Sequence, residues 1–338
     1  PARLMSSDAK PTSHWKNVAS FVLRAAITLA AFVWLFRLVD VSKFIATVKE
    51  TNLTTYAAAC GLYATTFAAC CGRWYALLQP VLTERFARVV RWVFMGAFFN
   101  TLLPTIVGGD VVRIYEAKHA MGDWKCATAT VLLDRMLGFT ALMAFAVVAV
   151  LICLPTIQEP ILIRGVIGFA VLFFVVALPL VSQRVFQWLM TPLSWPPLRG
   201  AKAHLEKFHS IVQSYGQHKK AIRDALILSF FIQATTLAIH WVVALALGIQ
   251  ISFWVVAVIV PIMMAIAMLP ISLNGLGLRE AAAVILLAPL GVSEAQALAF
   301  SLLSAAIPAL FGLAGGLVFL TYKRGSLPNT KLGEDRLQ

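Results

Sequence analysis

Two short stretches of the sequence place charged side chains between apolar runs, and both follow the same spacing. In each, a leucine–proline pair is followed by a glycine five positions after the proline and by an arginine nine positions after it. These residues are Pro104, Gly109 and Arg113 in the first stretch, and Pro270, Gly275 and Arg279 in the second. An acid adjoins each glycine–arginine segment, Asp110 in one and Glu280 in the other. One L-P-x4-G-x3-R pattern in each half indicates an internal repeat.

The residue types in these stretches predict a broken helix with an anion site. Proline interrupts a helix, and glycine permits a sharp reversal of the chain. The expected turn residues are Pro104, Gly108, Gly109, Pro270, Gly275 and Gly277. A new helix should begin after each turn, and a helix N-terminus presents free N–H groups that suit phosphate. With Arg113 and Arg279 in the first turns of these helices, the pattern predicts a site for a lipid headgroup phosphate.

Asp110 and Glu280, the acids beside the arginines, have several candidate roles. They could neutralise the arginines when the site is empty, accept a cationic headgroup, or carry a coupling proton. The alternative is an ion pair that only locks each turn. The full set of predicted substrate-binding residues is Asn100, Asp110, Arg113, Asp134, Arg135, Asn274, Arg279 and Glu280.

Asp134 follows the first broken helix and lies on a face of small residues. Helical spacing places it with Ala127, Thr130 and Gly138. Faces of small residues pack against neighbouring helices in membranes, so we expect Asp134 to point into the bundle and to pair with Arg113. A position on the protein surface is the alternative.

The composition excludes a soluble enzyme. Of the 338 residues, 60% are hydrophobic and 13% are charged, against about 25% charged residues in a typical soluble domain. No H-E-x-x-H, P-loop or G-x-S-x-G motif occurs, so we predict no catalytic residues, no metal and no cofactor. The net charge of +13 comes mostly from Lys and Arg between apolar runs. This distribution is typical of cytoplasmic loops, and we predict no nucleic-acid binding.

The apolar runs predict about six full transmembrane helices, each near the ~20 residues that cross a bilayer. They are Asn17–Leu38, Leu53–Leu78, Met136–Leu154, Ile161–Val181, Ile222–Leu247 and Ala295–Tyr322. The two broken stretches add two re-entrant hairpins, which enter from opposite faces if the basic loops are cytoplasmic. The predicted fold class is therefore an all-α polytopic membrane protein in which the re-entrant hairpins form an inverted repeat, a common transporter plan.

The predicted organisation is a single membrane domain with cytoplasmic tails. The domain covers residues 17–322, with a first half at 17–181, a cytoplasmic linker at 182–222 and a second half at 222–322. The tails cover 1–16 and 323–338. We expect a multi-pass protein of the cell inner (plasma) membrane with both termini in the cytoplasm.

The order and spacing of these motifs resemble the lysylphosphatidylglycerol synthase transmembrane, or flippase-like, family. The resemblance is carried by Asn100, Leu103–Pro104, Gly108–Asp110, Arg113, Asp134–Arg135, Gly138 and Pro270–Glu280. It implies an inner-membrane protein that moves a polar lipid between leaflets. Some members continue into a soluble domain that adds lysine to phosphatidylglycerol. Because only a short tail follows Tyr322 here, we do not expect synthase activity.

Three functions are consistent with these features. The first is flipping of a polar, phosphate-bearing membrane lipid through a midplane cavity lined by the two broken helices. The second is an integral membrane enzyme that acts on lipid headgroups. The third is a scaffold for a separate lipid-modifying enzyme. A homo-oligomer is compatible with all three.

Overall fold

The computed structural model describes residues 12–103, 107–153, 182–190, 215–269 and 271–321, with single positions between 164 and 213. Pro104, Pro270, most of the predicted span Ile161–Val181, most of the linker, and both chain ends lie outside this part. The described residues form helices and contain no strand. The helices are α1 (Thr12–Leu38), α2 (Val41–Lys49), α3 (Leu53–Leu78), α4 (Phe86–Leu102), α5 (Gly108–Met121), α6 (Trp124–Cys153), α7 (Gln183–Met190), α8 (Lys219–Ala246), α9 (Phe253–Met268), α10 (Leu278–Leu287) and α11 (Glu294–Thr321).

Three of the described helices, α6, α8 and α11, are long and apolar enough to cross a membrane. A stretch of α1, Val22–Leu35, and helix α9 are apolar but shorter. Helix α3 has 26 residues but includes several threonines and Arg73, which lower its hydropathy. The class of a helical membrane protein with several spans is therefore confirmed, while the count of six full spans stays a prediction.

The first predicted break separates α4 from α5, and the chain reverses direction there. Gly108 packs against Phe99 and Leu103, whereas Gly109 packs against Gly96 and Asn100, one turn earlier in α4. Successive positions of α5 thus meet earlier positions of α4, as in an antiparallel hairpin. At 1.5 Å per residue, the 17 residues of α4 span about 25 Å, less than the ~30 Å hydrocarbon core.

The two glycines of the first break differ from their predicted role as turn residues. Gly108 and Gly109 lie inside the first turn of α5, and neither is among the residues with positive φ. Their contribution is close packing, because a Cβ at Gly109 would lie 2.1 Å from the carbonyl oxygen of Gly96. The sequence pattern could not distinguish a glycine that turns the chain from one that admits a neighbouring helix.

The second predicted break separates α9 from α10 and contains the expected glycine turn. Asn274, Gly275 and Gly277 have φ values of 53°, 73° and 81°, a left-handed conformation that glycine adopts without steric cost. Gly277 also contacts α1, since a Cβ there would lie 2.7 Å from Ala31 Cβ. Gly275 and Gly277 therefore have the positive φ expected of glycines in a turn.

Helix α11 joins the two halves by packing its backbone directly on α4. A Cβ at Gly312 would lie 2.1 Å from Thr101 Oγ1, and one at Gly315 would lie 2.1 Å from the carbonyl oxygen of Phe94. Small residues allow this close approach, which is a common way for membrane helices to associate. Residues of α1, α3, α6, α8, α9, α10 and α11 contribute to one continuous buried apolar cluster.

Candidate functional site

Five charged side chains from three helices form one largely buried network, here called the arginine cluster, in which only the Arg135 side chain is more than a third exposed: Arg73, Asp110, Arg113, Asp134 and Arg135. Asp134 of α6 accepts from Arg73 Nε of α3 at 2.6 Å and from Arg113 Nη2 of α5 at 2.9 Å. Asp110 of α5 accepts from Arg135 Nε at 2.9 Å and from Arg135 Nη2 at 3.0 Å. The predicted pair between Asp134 and Arg113 is confirmed, and Asp134, which is 3% exposed, is not on the surface.

Arg73 belongs to this network, although it was not among the predicted site residues. The residue is only 7% exposed, and its Nη1 also donates to Ser229 Oγ of α8 at 3.1 Å. Gly138 of α6 provides the space, because a Cβ there would lie 3.0 Å from Arg73 Nη1. The signal available in the sequence was Gly138, on the same predicted face as Asp134.

The small-residue face of α6 packs into the bundle, as predicted. Ala127, Thr130, Asp134 and Gly138 are all buried. Thr130 Oγ1 accepts from Trp74 Nε1 at 3.4 Å, and the Trp74 ring lies 4.3 Å from the guanidinium carbon of Arg113. This stacking is a cation–π contact, so Trp74 helps to hold the Arg113 guanidinium in place beside its carboxylate partners.

The arginine cluster carries more positive than negative charge. Three guanidinium groups face two carboxylates, and three positive charges minus two negative charges leave one positive charge. Arg113 Nε is buried and has no hydrogen-bond partner among the residues that the structure describes. A buried unpaired N–H is costly, and a ligand that brings an anionic oxygen would satisfy both the charge and this donor.

The second motif forms a smaller network, here called the Arg279 site: Arg279, Glu280 and Ser301. Glu280 is fully buried, and its Oε1 accepts from Arg279 Nη2 at 2.5 Å. Ser301 of α11 accepts from Arg279 Nε at 3.2 Å and donates to Glu280 Oε1 at 3.3 Å. One guanidinium meets one carboxylate, so the charges of this site balance.

At each break, one of the backbone N–H groups expected to bind phosphate is already occupied by a side chain. Gly109 N donates to Asn100 Oδ1 at 2.7 Å, and Gly277 N donates to Glu280 Oε2 at 2.7 Å. These side chains cap the first turns of α5 and α10 in the way that N-cap groups do. The guanidinium groups, rather than these amides, are therefore the donors left for an anion.

The two motifs meet through their asparagines. Asn274 Nδ2 donates to the carbonyl oxygen of Asn100 at 3.3 Å. Arg113 and Arg279, by contrast, each bind carboxylates of their own network. Of the predicted set, Asp110, Arg113, Asp134 and Arg135 therefore come together in one group. Arg279 and Glu280 form a second group, and Asn100 and Asn274 form the bridge between the breaks.

Comparison with known proteins identifies the family. A family model described as the lysylphosphatidylglycerol synthase TM region matches residues 21–316. The chain belongs to this family. The match covers both breaks and both charged networks. The family that the sequence motifs suggested is therefore confirmed.

One curated relative is a UPF0104 membrane protein, PH1989, of Pyrococcus horikoshii. It is 24% identical over 268 residues, and the match covers 71% of this chain and 79% of that protein. No solved structure matches. Together with the apolar helices, the family and this relative support a multi-pass membrane location for this member of the lysylphosphatidylglycerol synthase TM region family.

Two surface cavities of this family member lie away from both charged networks. One, of about 290 Å³, is lined by residues of α2 and the start of α11, including Lys43, Glu50 and Gln296. The other, of about 440 Å³, includes Phe186 and His209.

Within the described ranges, no group of three His, Cys, Asp or Glu side chains could hold a metal ion. The midplane cavity stays a prediction.

Proposed function

We propose that this protein moves a polar, phosphate-bearing lipid between the leaflets and that the arginine cluster binds the phosphate. The observation that carries the proposal is the unbalanced charge of the cluster. A lipid phosphodiester bears one negative charge, and the cluster has one positive charge in excess. Binding would therefore leave a neutral assembly, which is the least costly state for charged groups inside a membrane.

The two carboxylates keep the empty site folded. Asp134 holds Arg73 and Arg113, while Asp110 holds Arg135, so none of the three guanidinium groups lacks an anionic partner before a lipid arrives. Arginine presents several N–H donors in a plane and can contact a carboxylate and a phosphate at once. Arg113 is the first candidate contact, because its Nε is buried and unpaired in the described part of the chain.

The location of the network also favours a functional role over a purely structural one. Asp134 and Arg135 lie in α6, a helix long and apolar enough to span the membrane. Ionisable side chains inside membrane spans are costly, and they typically mark substrate or ion pathways. The second broken helix, at the Arg279 site, would take the headgroup further along the path, in the manner of transporters built from two related halves.

A leaflet-resolved assay tests the proposal. The purified chain is reconstituted in phosphatidylcholine vesicles that contain a trace of fluorescent phosphatidylglycerol, and an impermeant reductant quenches the outer leaflet. We expect the protein to make the inner-leaflet fluorescence accessible. Arg113→Gln should slow this about 10- to 100-fold, because hydrogen bonds to charged groups contribute about 1.5–3 kcal/mol.

The matched control is Arg223→Gln, the same change at an arginine whose side chain is 66% exposed and paired with its neighbour Asp224. It should leave the rate unchanged. Equal effects of the two substitutions, or no change in lipid accessibility with the unmodified chain, would contradict the proposal. Mass spectrometry of the recovered lipids provides a separate check, because a covalently modified lipid would favour an enzyme.

A further inference from the structure

Helix α8 links the two charged networks along one face. Ser229 of α8 accepts from Arg73 of the arginine cluster at 3.1 Å. His240 of α8 packs against Phe300, with ring centroids 6.0 Å apart, and Phe300 immediately precedes Ser301 of the Arg279 site. Between residues 229 and 240 the helix rises by about 16 Å. The two networks are therefore separated by about half of the hydrocarbon core.

Gln233 lies on this face between the two networks. The spacings from Ser229 to Gln233 and from Gln233 to His240 are four and seven residues, which keep all three on one side of a helix. Gln233 Nε2 donates to the carbonyl oxygen of Gly138 at 3.1 Å, and Gly138 is the residue beside Arg73. Gln233 is thus the next polar side chain of α8 beyond the arginine cluster.

Within the part of the chain that the structure describes, the carboxamide oxygen of Gln233 has no hydrogen-bond donor. Gly138 O can only accept a hydrogen bond, so the amide nitrogen must face it and Oε1 must point elsewhere. Among the described residues, Oε1 is buried without a hydrogen-bond donor. Leaving a buried acceptor unsatisfied is unfavourable, whereas a methionine or leucine would fill the same space without that cost. The oxygen is therefore available for a donor that arrives from outside the chain.

We propose that Gln233 is a specificity-determining residue that accepts a hydrogen bond from a hydroxyl or ammonium group of the passing headgroup. The inference rests on the proposed function and adds a second requirement to it. The arginines recognise the phosphate, and Gln233 recognises an N–H or O–H group attached to that phosphate. Lipids that carry both are favoured over lipids with a bare phosphodiester.

A comparison of two anionic lipids tests the phosphate requirement and the hydrogen-bond requirement separately. Phosphatidylglycerol and phosphatidylmethanol both carry one negatively charged phosphodiester, but only the first has hydroxyl donors. In the reconstituted assay, we expect the unmodified chain to move phosphatidylglycerol about three- to tenfold faster, the range expected from one hydrogen bond of 0.5–1.5 kcal/mol. The Gln233→Met variant should lose this preference but should still move phosphatidylmethanol.

The rate ratio between the two lipids is the readout, because it does not depend on how much protein is folded. If Gln233→Met does not fold, Gln233→Asn retains the amide but shortens its reach, and we expect it to reduce the ratio. Thr235→Val is the control, since it removes a buried hydrogen bond of α8 to Thr66 and should leave the ratio unchanged.

The outcomes separate this inference from the proposed function. A chain that moves both lipids at equal rates, or a Gln233→Met variant that keeps the preference, overturns the role of Gln233 but leaves phosphate-dependent transport intact. A chain that moves neither lipid overturns the proposed function and the role of Gln233 together.

Discussion

The arginine cluster and the Arg279 site each contain the arginine of one L-P-x4-G-x3-R stretch but differ in how they are built. The cluster draws its side chains from α3, α5 and α6, and it has one guanidinium more than it has carboxylates. The Arg279 site pairs two consecutive residues of α10 and adds one hydroxyl from α11. The same spacing of Gly and Arg therefore occurs once in a network with excess positive charge and once in a network whose charges balance.

The two arginines at matching positions, Arg113 and Arg279, differ in burial. The Arg113 side chain is 11% exposed and pairs with an almost fully buried Asp134, whereas the Arg279 side chain is 27% exposed. A guanidinium that reaches solvent can recover hydration when its partner is removed, and a buried one cannot. The comparison therefore predicts unequal responses to equivalent substitutions.

Asp134→Asn should give the largest loss of stability. It leaves Arg73 and Arg113 without their carboxylate in a buried place, and breaking such a pair costs about 3–5 kcal/mol. Glu280→Gln should cost less, because Arg279 is partly exposed. Thermal unfolding of the detergent-solubilised chain measures both, with Asp224→Asn at an exposed pair as the neutral control. A larger loss of stability for Glu280→Gln than for Asp134→Asn would contradict this prediction.

Gly109→Ala should cause an intermediate loss of stability. It tests whether the first break depends on close helix packing, whereas the second break depends on a glycine turn. The added methyl would meet the carbonyl oxygen of Gly96 at 2.1 Å and force α4 and α5 apart, at a cost of about 1–3 kcal/mol for overpacking. Gly61→Ala in α3 is the matched control, since nothing lies within 4 Å of its Cβ position. If both variants melt at the same temperature, the close contact between α4 and α5 is wrong.

Asn274→Gly should have the smallest effect and tests the contact between the breaks. Glycine tolerates the positive φ of this position, so the substitution removes the hydrogen bond to Asn100 O without adding strain. We expect a loss of about 0.5–1.5 kcal/mol in unfolding free energy. Asn52→Gly, which removes an exposed helix cap on Thr55, should cost only a few tenths of a kcal/mol. Equal losses would argue against a buried link between the two breaks.

Local sequence signals predicted the features that depend on one helix or one turn. The breaks after α4 and α9 follow from leucine–proline and glycine spacing. The inward face of α6 follows from small residues at helical intervals. The pairing of Asp134 with Arg113 was predicted because each charge lies in an apolar context and needs an opposite charge nearby. These inferences required no knowledge of how distant helices pack.

The features that the sequence did not reveal depend on contacts between distant helices. Arg73 is buried only because α3 packs against α8 and because Gly138 of α6 leaves room for its guanidinium. Gly109 lies within a helix rather than in the turn because Asn100 and Gly96 of α4 approach its backbone. The substrate-binding roles of the eight predicted residues stay predictions.

The glycine contacts between α11 and α4 restrict how the bundle could open. Gly312 and Gly315 bring α11 close to the backbone of α4, since Cβ atoms there would lie 2.9 Å from Ala97 O and 2.1 Å from Phe94 O, and interfaces of this kind shift little without losing many atomic contacts at once. Rearrangement of the bundle would then carry the first broken helix and the last span as one rigid unit.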